Sequence, residues 1–175
     1  MTQKINIVLF GIGKTGSAFI NKVIKNRKEL ALENHIDLRF PVITNSTTAF
    51  FEKDGVSFAW EANFIQFAIP FKLEDMLYYL VENNLENAII ADASPSGDLA
   101  LEYLDLIKSG FNLVSINESV EAMAEGFEKG VKFLADSKGL EFKYINLKQG
   151  GKEEAATALY DAVLEIAEKK KALAS

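Results

Sequence analysis

The chain has 175 residues, 49% of them hydrophobic, and it carries a formal net charge of −6 with no cysteine. This length and apolar content suit one domain with a full hydrophobic core, so residues 1–175 are interpreted as a single domain. The acidic balance argues against nucleic-acid and anionic-membrane partners, and the lack of cysteine excludes disulfides, thiolate metal sites and a cysteine nucleophile.

The first predicted element is a buried strand over residues 5–10 that runs directly into a glycine-rich loop. An amphipathic helix follows, and its apolar side is formed by Phe19, Ile20, Val23 and Ile24. A strand, a G-x-G-x-x-G loop and a helix in this order are typical of a site for a dinucleotide such as NAD or NADP. The predicted phosphate-binding residues are Gly11, Ile12, Gly13, Lys14, Thr15 and Gly16.

Each glycine of this loop has a predicted role. Gly11 permits a tight turn, Gly13 lets the backbone approach a pyrophosphate, and Gly16 lets the helix pack closely against the strand. The free N–H groups at the start of the helix then face the phosphates. The alternative is a glycine turn that serves close packing alone.

Strands and helices alternate along the rest of the chain, as they do in βαβ units. We predict strands over residues 37–44, 87–93, 111–117 and 140–147, and helices over residues 72–83, 94–108 and 152–171. A further helix is predicted to end near residue 137, and residues 47–67 are the least regular part. This order predicts an α/β fold, a single doubly wound, Rossmann-type, mostly parallel sheet with helices on both faces.

Two finer predictions concern helix ends and helix packing. Ser94 followed by Pro95 predicts a hydroxyl cap with proline at the first helical position. Gly126 and Gly130 predict close packing of the helix that ends near residue 137.

A ligand of such a sheet lies beyond the carboxyl ends of its strands, where the chain has loops at residues 11–16, 45–48, 93–96 and 115–119. All four contain small polar residues, which suits a site lined by backbone and hydroxyl groups, although turns are commonly polar in any case. Asp37 has the spacing of a ribose-binding carboxylate but begins its strand, at the wrong end of the sheet. The correct end holds Asn45, Ser46, Thr47 and Thr48, with neither the carboxylate of NAD sites nor the cation of NADP sites.

No group of residues predicts covalent catalysis or a metal site. The single histidine, His35, is expected on the surface at the far end of the sheet, and Glu153 and Glu154 are expected to form a charged first helical turn. The catalytic residues therefore stay unknown.

Several dispersed motifs resemble the nicotinamide-cofactor domain of homoserine dehydrogenase, especially the form fused to aspartokinase. They are Glu-Asn-His-Ile-Asp-Leu-Arg at residues 33–39, Ile-Thr-Asn-Ser at residues 43–46, Asp-Ala-Ser-Pro-Ser at residues 92–96 and Val-Ser-Ile-Asn at residues 114–117. The resemblance covers about residues 5–118 and extends loosely to residue 151. It implies that the glycine loop holds the pyrophosphate, that Asn45 and Ser46 meet the adenosine ribose, and that the last two loops flank the nicotinamide, through Ala93, Ser94, Ser96, Ser115 and Asn117.

The sequence departs from the family in three ways. Thr47 stands where the family has a cation suited to the NADP phosphate, and Glu118 stands where it has a lysine near the reacting centre. The family's substrate domain is also expected to be missing, since residues 152–171 form one helix that covers the sheet or binds a second copy or a separate partner.

Three functional hypotheses remain open from the sequence. The chain is an NAD(P)-dependent oxidoreductase of the homoserine dehydrogenase type, alone or with a partner subunit. It is instead a catalytically incomplete homologue with a cofactor-binding or regulatory role. As a third possibility, the crevice holds another nucleotide, such as an adenine coenzyme. The residues 5–10 are too few for a signal-peptide core or a membrane span, and we expect a cytoplasmic protein.

Overall fold

The computed structural model describes residues 1–147 and 152–174 and contains one seven-stranded sheet in the order β4-β3-β2-β1-β5-β6-β7. At one edge of the sheet, β3 pairs antiparallel with both β2 and β4, and the other pairs are parallel. The strands are β1 (Gln3–Phe10), β2 (Ile36–Thr44), β3 (Thr48–Phe51), β4 (Ile69–Pro70), β5 (Ala88–Asp92), β6 (Asn112–Ser115) and β7 (Phe142–Tyr144).

Helices cover both faces of the sheet, which confirms the doubly wound α/β fold predicted from the alternating elements. They are α1 (Lys14–Asn34), α2 (Trp60–Phe67), α3 (Leu73–Glu82), α4 (Gly97–Leu101), α5 (Tyr103–Lys108), α6 (Phe127–Ser137) and α7 (Lys152–Ala174), with a 3-10 helix at Glu118–Ala122. In the described part of the chain, no helix has the length and apolar character needed to cross a membrane.

The two faces of the sheet have separate hydrophobic cores. One core joins α1, α2 and α7 to the sheet, and the other joins α3, α5 and α6 to its opposite face. The apolar stripe of α7 is buried in the first core, through Ala156, Leu159, Val163, Ile166 and Ala167. The predicted covering of the sheet by the last helix is therefore observed within the chain itself.

The predicted helix start at Ser94 and Pro95 is wrong by two residues. Ser96 is the cap of α4, because its side chain accepts a hydrogen bond from the backbone N–H of Leu99 at 3.1 Å. The hydroxyl of Ser94 instead donates to Asp92 at 2.6 Å. The predicted single helix is also divided at Glu102 into α4 and α5.

The close packing predicted at Gly126 and Gly130 is also wrong. A Cβ atom built at either glycine meets no atom within 4 Å. Gly126 directly precedes α6 and has a φ of +83°. This left-handed backbone conformation is one that glycine adopts without strain. Backbone conformation, and not helix packing, accounts for this residue.

Candidate nucleotide site

A cleft of about 880 Å³ lies at the carboxyl ends of the central strands. The neighbours of β1 are β2 on one side and β5 on the other, so the strand order reverses at this position. Such a switch point is where open α/β sheets bind ligands. The lining residues include Gly11, Ile12, Gly13, Asn45, Ser46, Ser94 and Ser96, which were predicted as site residues.

Two of the three loop glycines are required by close backbone approach. A Cβ atom at Gly16 would lie 1.9 Å from the carbonyl oxygen of Gly11, and one at Gly11 would lie 2.7 Å from the backbone of Ala93. Gly11 also has a φ of +97°, which side chains rarely adopt. Because they lack a Cβ atom, Gly16 lets the start of α1 approach Gly11, and Gly11 lets the chain after β1 approach Ala93, the residue after β5.

Gly13 differs from the other two glycines because its Cβ position is open. No atom lies within 4 Å of that position, and Gly13 is exposed at the N-terminal end of α1. Packing within the described structure therefore does not require this glycine, and the start of α1 is open to a phosphate, as helix N-termini that bind anions are.

Thr44, at the end of β2, gives a second indication of a ligand. Its side chain is fully buried, yet its Oγ1 has no hydrogen-bond partner among the described residues, and the residue lines the cleft. Buried hydroxyls are nearly always paired in native proteins. An open Gly13, a helix N-terminus and an unpaired buried hydroxyl together fit the phosphates and hydroxyls of a nucleotide.

The loop after β2 is organised by Asn45. Its Oδ1 accepts hydrogen bonds from the N–H groups of Thr47 and Thr48, at 2.9 and 2.7 Å, and from the Thr48 hydroxyl. This oxygen is therefore used to form the turn. Asn45 and Ser46 line the cleft, whereas Thr47 is exposed outside it.

One wall of the cleft was missed by sequence reasoning. Phe71 and Lys72, just before α3, contribute to it together with Leu73 and Glu74 of its first turn, and so do Asp98 and Leu99 of α4 and the following Glu102. Phe71 and Leu73 add apolar surface, and Lys72 is the one cation among the described residues of the lining. The sequence offered no signal for this wall, because β4 has only two residues and brings residues 71–74 to the cleft through antiparallel pairing with β3.

A buried polar network lies beside the cleft, centred on Asp92 at the end of β5. Its Oδ1 accepts from the N–H and hydroxyl of Ser94, and its Oδ2 accepts from the Tyr103 hydroxyl and the Asn117 amide. Since the Tyr103 proton goes to Asp92, the Ser115 hydroxyl donates to Tyr103 at 2.6 Å. Asp92, Tyr103 and Ser115 are fully buried and Asn117 is 1% exposed.

Burial sets the ionisation of this network. Desolvation raises the pKa of Asp92 above its ordinary value of 3.8, although hydrogen bonds from Ser94, Tyr103 and Asn117 act in the opposite direction. Burial, and then the nearby Asp92, raise the pKa of Tyr103 far above its ordinary value. Tyr103 therefore stays protonated and acts as a donor.

Replacing Tyr103 with Phe tests this network. The change leaves Asp92 without one donor, so we expect the free energy of unfolding to fall by about 1.5–3 kcal/mol near neutral pH. Because the pKa of Asp92 is raised in the folded protein, its stabilising contribution is complete below 3.8 and is lost as the pH rises through the folded-state pKa. The Tyr103 hydroxyl donates to the ionised form of Asp92, so its removal raises the pKa of Asp92 further. The loss of unfolding free energy in Tyr103→Phe should therefore grow as the pH rises.

The measurement is urea unfolding at several pH values. Tyr78→Phe is the matched control, because Tyr78 is 66% exposed and should tolerate the change. A deficit of Tyr103→Phe no larger than that of the control would contradict the role given to the hydroxyl.

Several predicted site residues lie outside the cleft lining. They are Lys14, Thr15, Gly16, Thr47, Ala93, Ser115 and Asn117, and Glu118 is exposed outside the cleft as well. Asp37 lies away from the cleft and pairs with Arg27, and His35 is exposed just after α1. Among residues 1–147 and 152–174, no group of histidine and acidic side chains is arranged to hold a metal ion.

Relatives of this chain are bifunctional aspartokinase/homoserine dehydrogenases. That of Buchnera aphidicola is 25% identical over 143 residues, and a chloroplastic one of Zea mays is 26% identical over 117 residues. The matches cover 81% and 65% of this chain but 17% and 13% of the relatives, so the chain spans less than a fifth of their length. No family model matches the chain.

Solved structures of homoserine dehydrogenases have the same fold. The enzyme from S. aureus superposes with a TM-score of 0.62 at 16% identity, over 93% of this chain and 44% of that chain. A hyperthermophilic archaeal homoserine dehydrogenase in complex with NADPH gives a TM-score of 0.59 at 18% identity, over 81% of this chain and 44% of that chain. The resemblance inferred from the dispersed motifs is therefore confirmed, at low identity and for part of the relatives' length.

Proposed function

We propose that this chain, a homologue of the homoserine dehydrogenase cofactor domain, binds NAD or NADP and does not by itself catalyse homoserine oxidation. The observation that carries the proposal is the cleft at the switch point, with the open Gly13 and the unpaired Thr44 hydroxyl on its surface. The NADPH complex of a structural relative supports the choice of ligand. On this basis we propose a cofactor-binding or regulatory role.

The charges around the cleft support weak discrimination between the two cofactors. Lys72 in the lining attracts an additional phosphate, as does the exposed Lys14 beside the glycine loop. Glu74, Asp98 and Glu102 line the same cleft and repel it. The loop after β2 has no charged side chain to favour either cofactor.

Calorimetric titration with NAD, NADP and their reduced forms tests the proposal. We expect weak binding of all four, with a preference below about a hundredfold, or roughly 2.7 kcal/mol, because the phosphate contacts are common to them. A larger preference would mean that the opposing charges do not cancel. Absence of binding to all four would overturn the proposed function itself.

The residue at the family's lysine position supports the proposal that this chain does not oxidise homoserine. The family's lysine position is held by Glu118, an exposed carboxylate that repels the carboxylate of an amino-acid substrate. Bound NAD(P) would supply the hydride acceptor. Homoserine must still be held with its hydroxyl carbon against that acceptor and within hydrogen-bond reach of a base.

We therefore expect no steady reduction of NAD or NADP by the purified chain at high homoserine concentration. Glu118→Lys should also be inactive, because one restored cation neither aligns the substrate nor supplies a base. Reduction by the unmodified chain that is lost in Gly13→Val would instead establish the alternative, an active oxidoreductase of the homoserine dehydrogenase type.

A further inference from the structure

Three of the polar side chains expected beside the nicotinamide, those of Asn117, Ser115 and Ser94, already bond to other groups of the protein. Asn117 donates its two amide hydrogens to Asp92 Oδ2 and to the Ser96 carbonyl, at 2.9 and 2.8 Å. Its Oδ1 accepts from the N–H and hydroxyl of Ser119, at 3.0 and 2.6 Å. An asparagine amide has two donors and two acceptor positions, so none is left for a ligand.

Ser115 and Ser94 each use the hydroxyl proton and one of two acceptor positions within the protein. The Ser115 oxygen accepts from the N–H of Asn117 at 3.0 Å and donates to Tyr103. The Ser94 hydroxyl donates to Asp92 and accepts from the N–H of Ser96 at 3.3 Å. Breaking these bonds for a ligand would leave buried polar groups unpaired, which is costly.

The cleft extends toward the side expected to hold the adenosine half of a dinucleotide. From β1, its described lining continues to the end of β2 and to residues 71–74 at the start of α3, and on the other side it ends at α4 and the following Glu102. No described residue of 115–119 contributes to it. Its surface combines the phosphate loop and the unpaired Thr44 hydroxyl with apolar atoms of Phe71 and Leu73, against which a purine ring can pack.

We infer that the site recognises the adenosine diphosphate portion of its ligand and makes no specific contact with a nicotinamide ring. This inference rests on the proposed function and narrows it to a ligand class, compounds with an adenosine diphosphate group. The Asp92 network then has a structural role, since it fixes the ends of β5 and β6 beside the cleft.

Titration with NADH, ADP-ribose and nicotinamide mononucleotide tests the inference. NADH and ADP-ribose share the pyrophosphate and its charge and differ by the nicotinamide ring, so they isolate its contribution. We expect their dissociation constants to agree within about tenfold, and we expect no binding of nicotinamide mononucleotide at millimolar concentration. The nicotinamide fluorescence of bound NADH should stay that of the free molecule.

Gly13→Val is the control for the location of binding. Its side chain enters the open space beside the glycine loop, so it should abolish binding of NADH and ADP-ribose alike. NADH binding more than about tenfold tighter than ADP-ribose, or measurable binding of the mononucleotide, would overturn the inference and leave the proposed function standing. Failure of both NADH and ADP-ribose to bind would overturn both.

Discussion

Gly16→Ala is expected to destabilise the protein severely, whereas Gly13→Ala, the same change three residues earlier, should leave the fold almost intact. The added Cβ atom at Gly16 would lie 1.9 Å from the Gly11 carbonyl oxygen and 2.8 Å from its carbon. The backbone at the start of α1 must move away from the sheet to relieve this overlap. Overpacking typically costs about 1–3 kcal/mol and occasionally more, and we expect a cost of at least about 3 kcal/mol here because the overlapped atom belongs to the backbone.

Gly13→Ala should affect ligand affinity more than stability. The residue has a φ of −69°, which alanine adopts without strain, and its Cβ would meet no atom within 4 Å. Alanine is a poorer helix cap than glycine, so a loss of up to about 1 kcal/mol is expected. The new methyl group stands where a pyrophosphate would approach, and NADH affinity should fall about tenfold or more.

Urea unfolding and calorimetry of the two variants provide the test. The pair serves as its own control, because both changes add one methyl group to the same loop. Equal free energies of unfolding for the two variants would contradict the packing role of Gly16, and unchanged NADH affinity of Gly13→Ala would contradict phosphate binding at this loop.

Replacing Leu159 and Val163 with Asp should prevent folding. Both side chains are fully buried in the core between α7, α1 and the sheet. Each change removes apolar contacts and places a charge without a partner in that core, and together they should cost more than about 5 kcal/mol. This loss is comparable with the whole stability of a typical domain, about 5–15 kcal/mol.

Circular dichroism and solution mass measure the outcome. Thr157→Asp is the control, because Thr157 is an exposed position of the same helix and its change should leave the melting temperature nearly unchanged. The sequence left open whether the stripe covers the sheet or a second copy. A folded double variant with a lower mass would favour the second copy, and an unchanged melting temperature and mass would refute burial of the stripe altogether.

Much of the fold was predictable because its signals are local. The apolar run of β1, the glycine spacing and the helical periodicity of α1, α3 and α7 each depend on residues a few positions apart. The alternation of these elements then favours a doubly wound sheet, and the glycine loop predicts where a phosphate lies. The exclusion of Asp37 from the site also needed only the direction of its strand.

Helix starts and the roles of the glycines near α6 were predicted less well. Ser94 and Ser96 are both hydroxyl residues beside Pro95, and the choice of cap depends on which of them is already bonded to Asp92. The glycines at positions 126 and 130 have the spacing of a packing motif, but the spacing carries no information on whether another element lies against them.

By itself, then, the sequence determined the strand, loop and helix of the phosphate site, the parallel sheet and the buried stripe of the last helix. Only the tertiary structure decided that Asp92, Tyr103, Ser115 and Asn117 join in one hydrogen-bond network, and that residues 71–74 at the start of α3 form a wall of the cleft. The physical reason is that hydrogen-bond saturation depends on distances between side chains of different strands and helices. Those distances are fixed by strand order and register, which bring together residues that have no periodic relation along the chain.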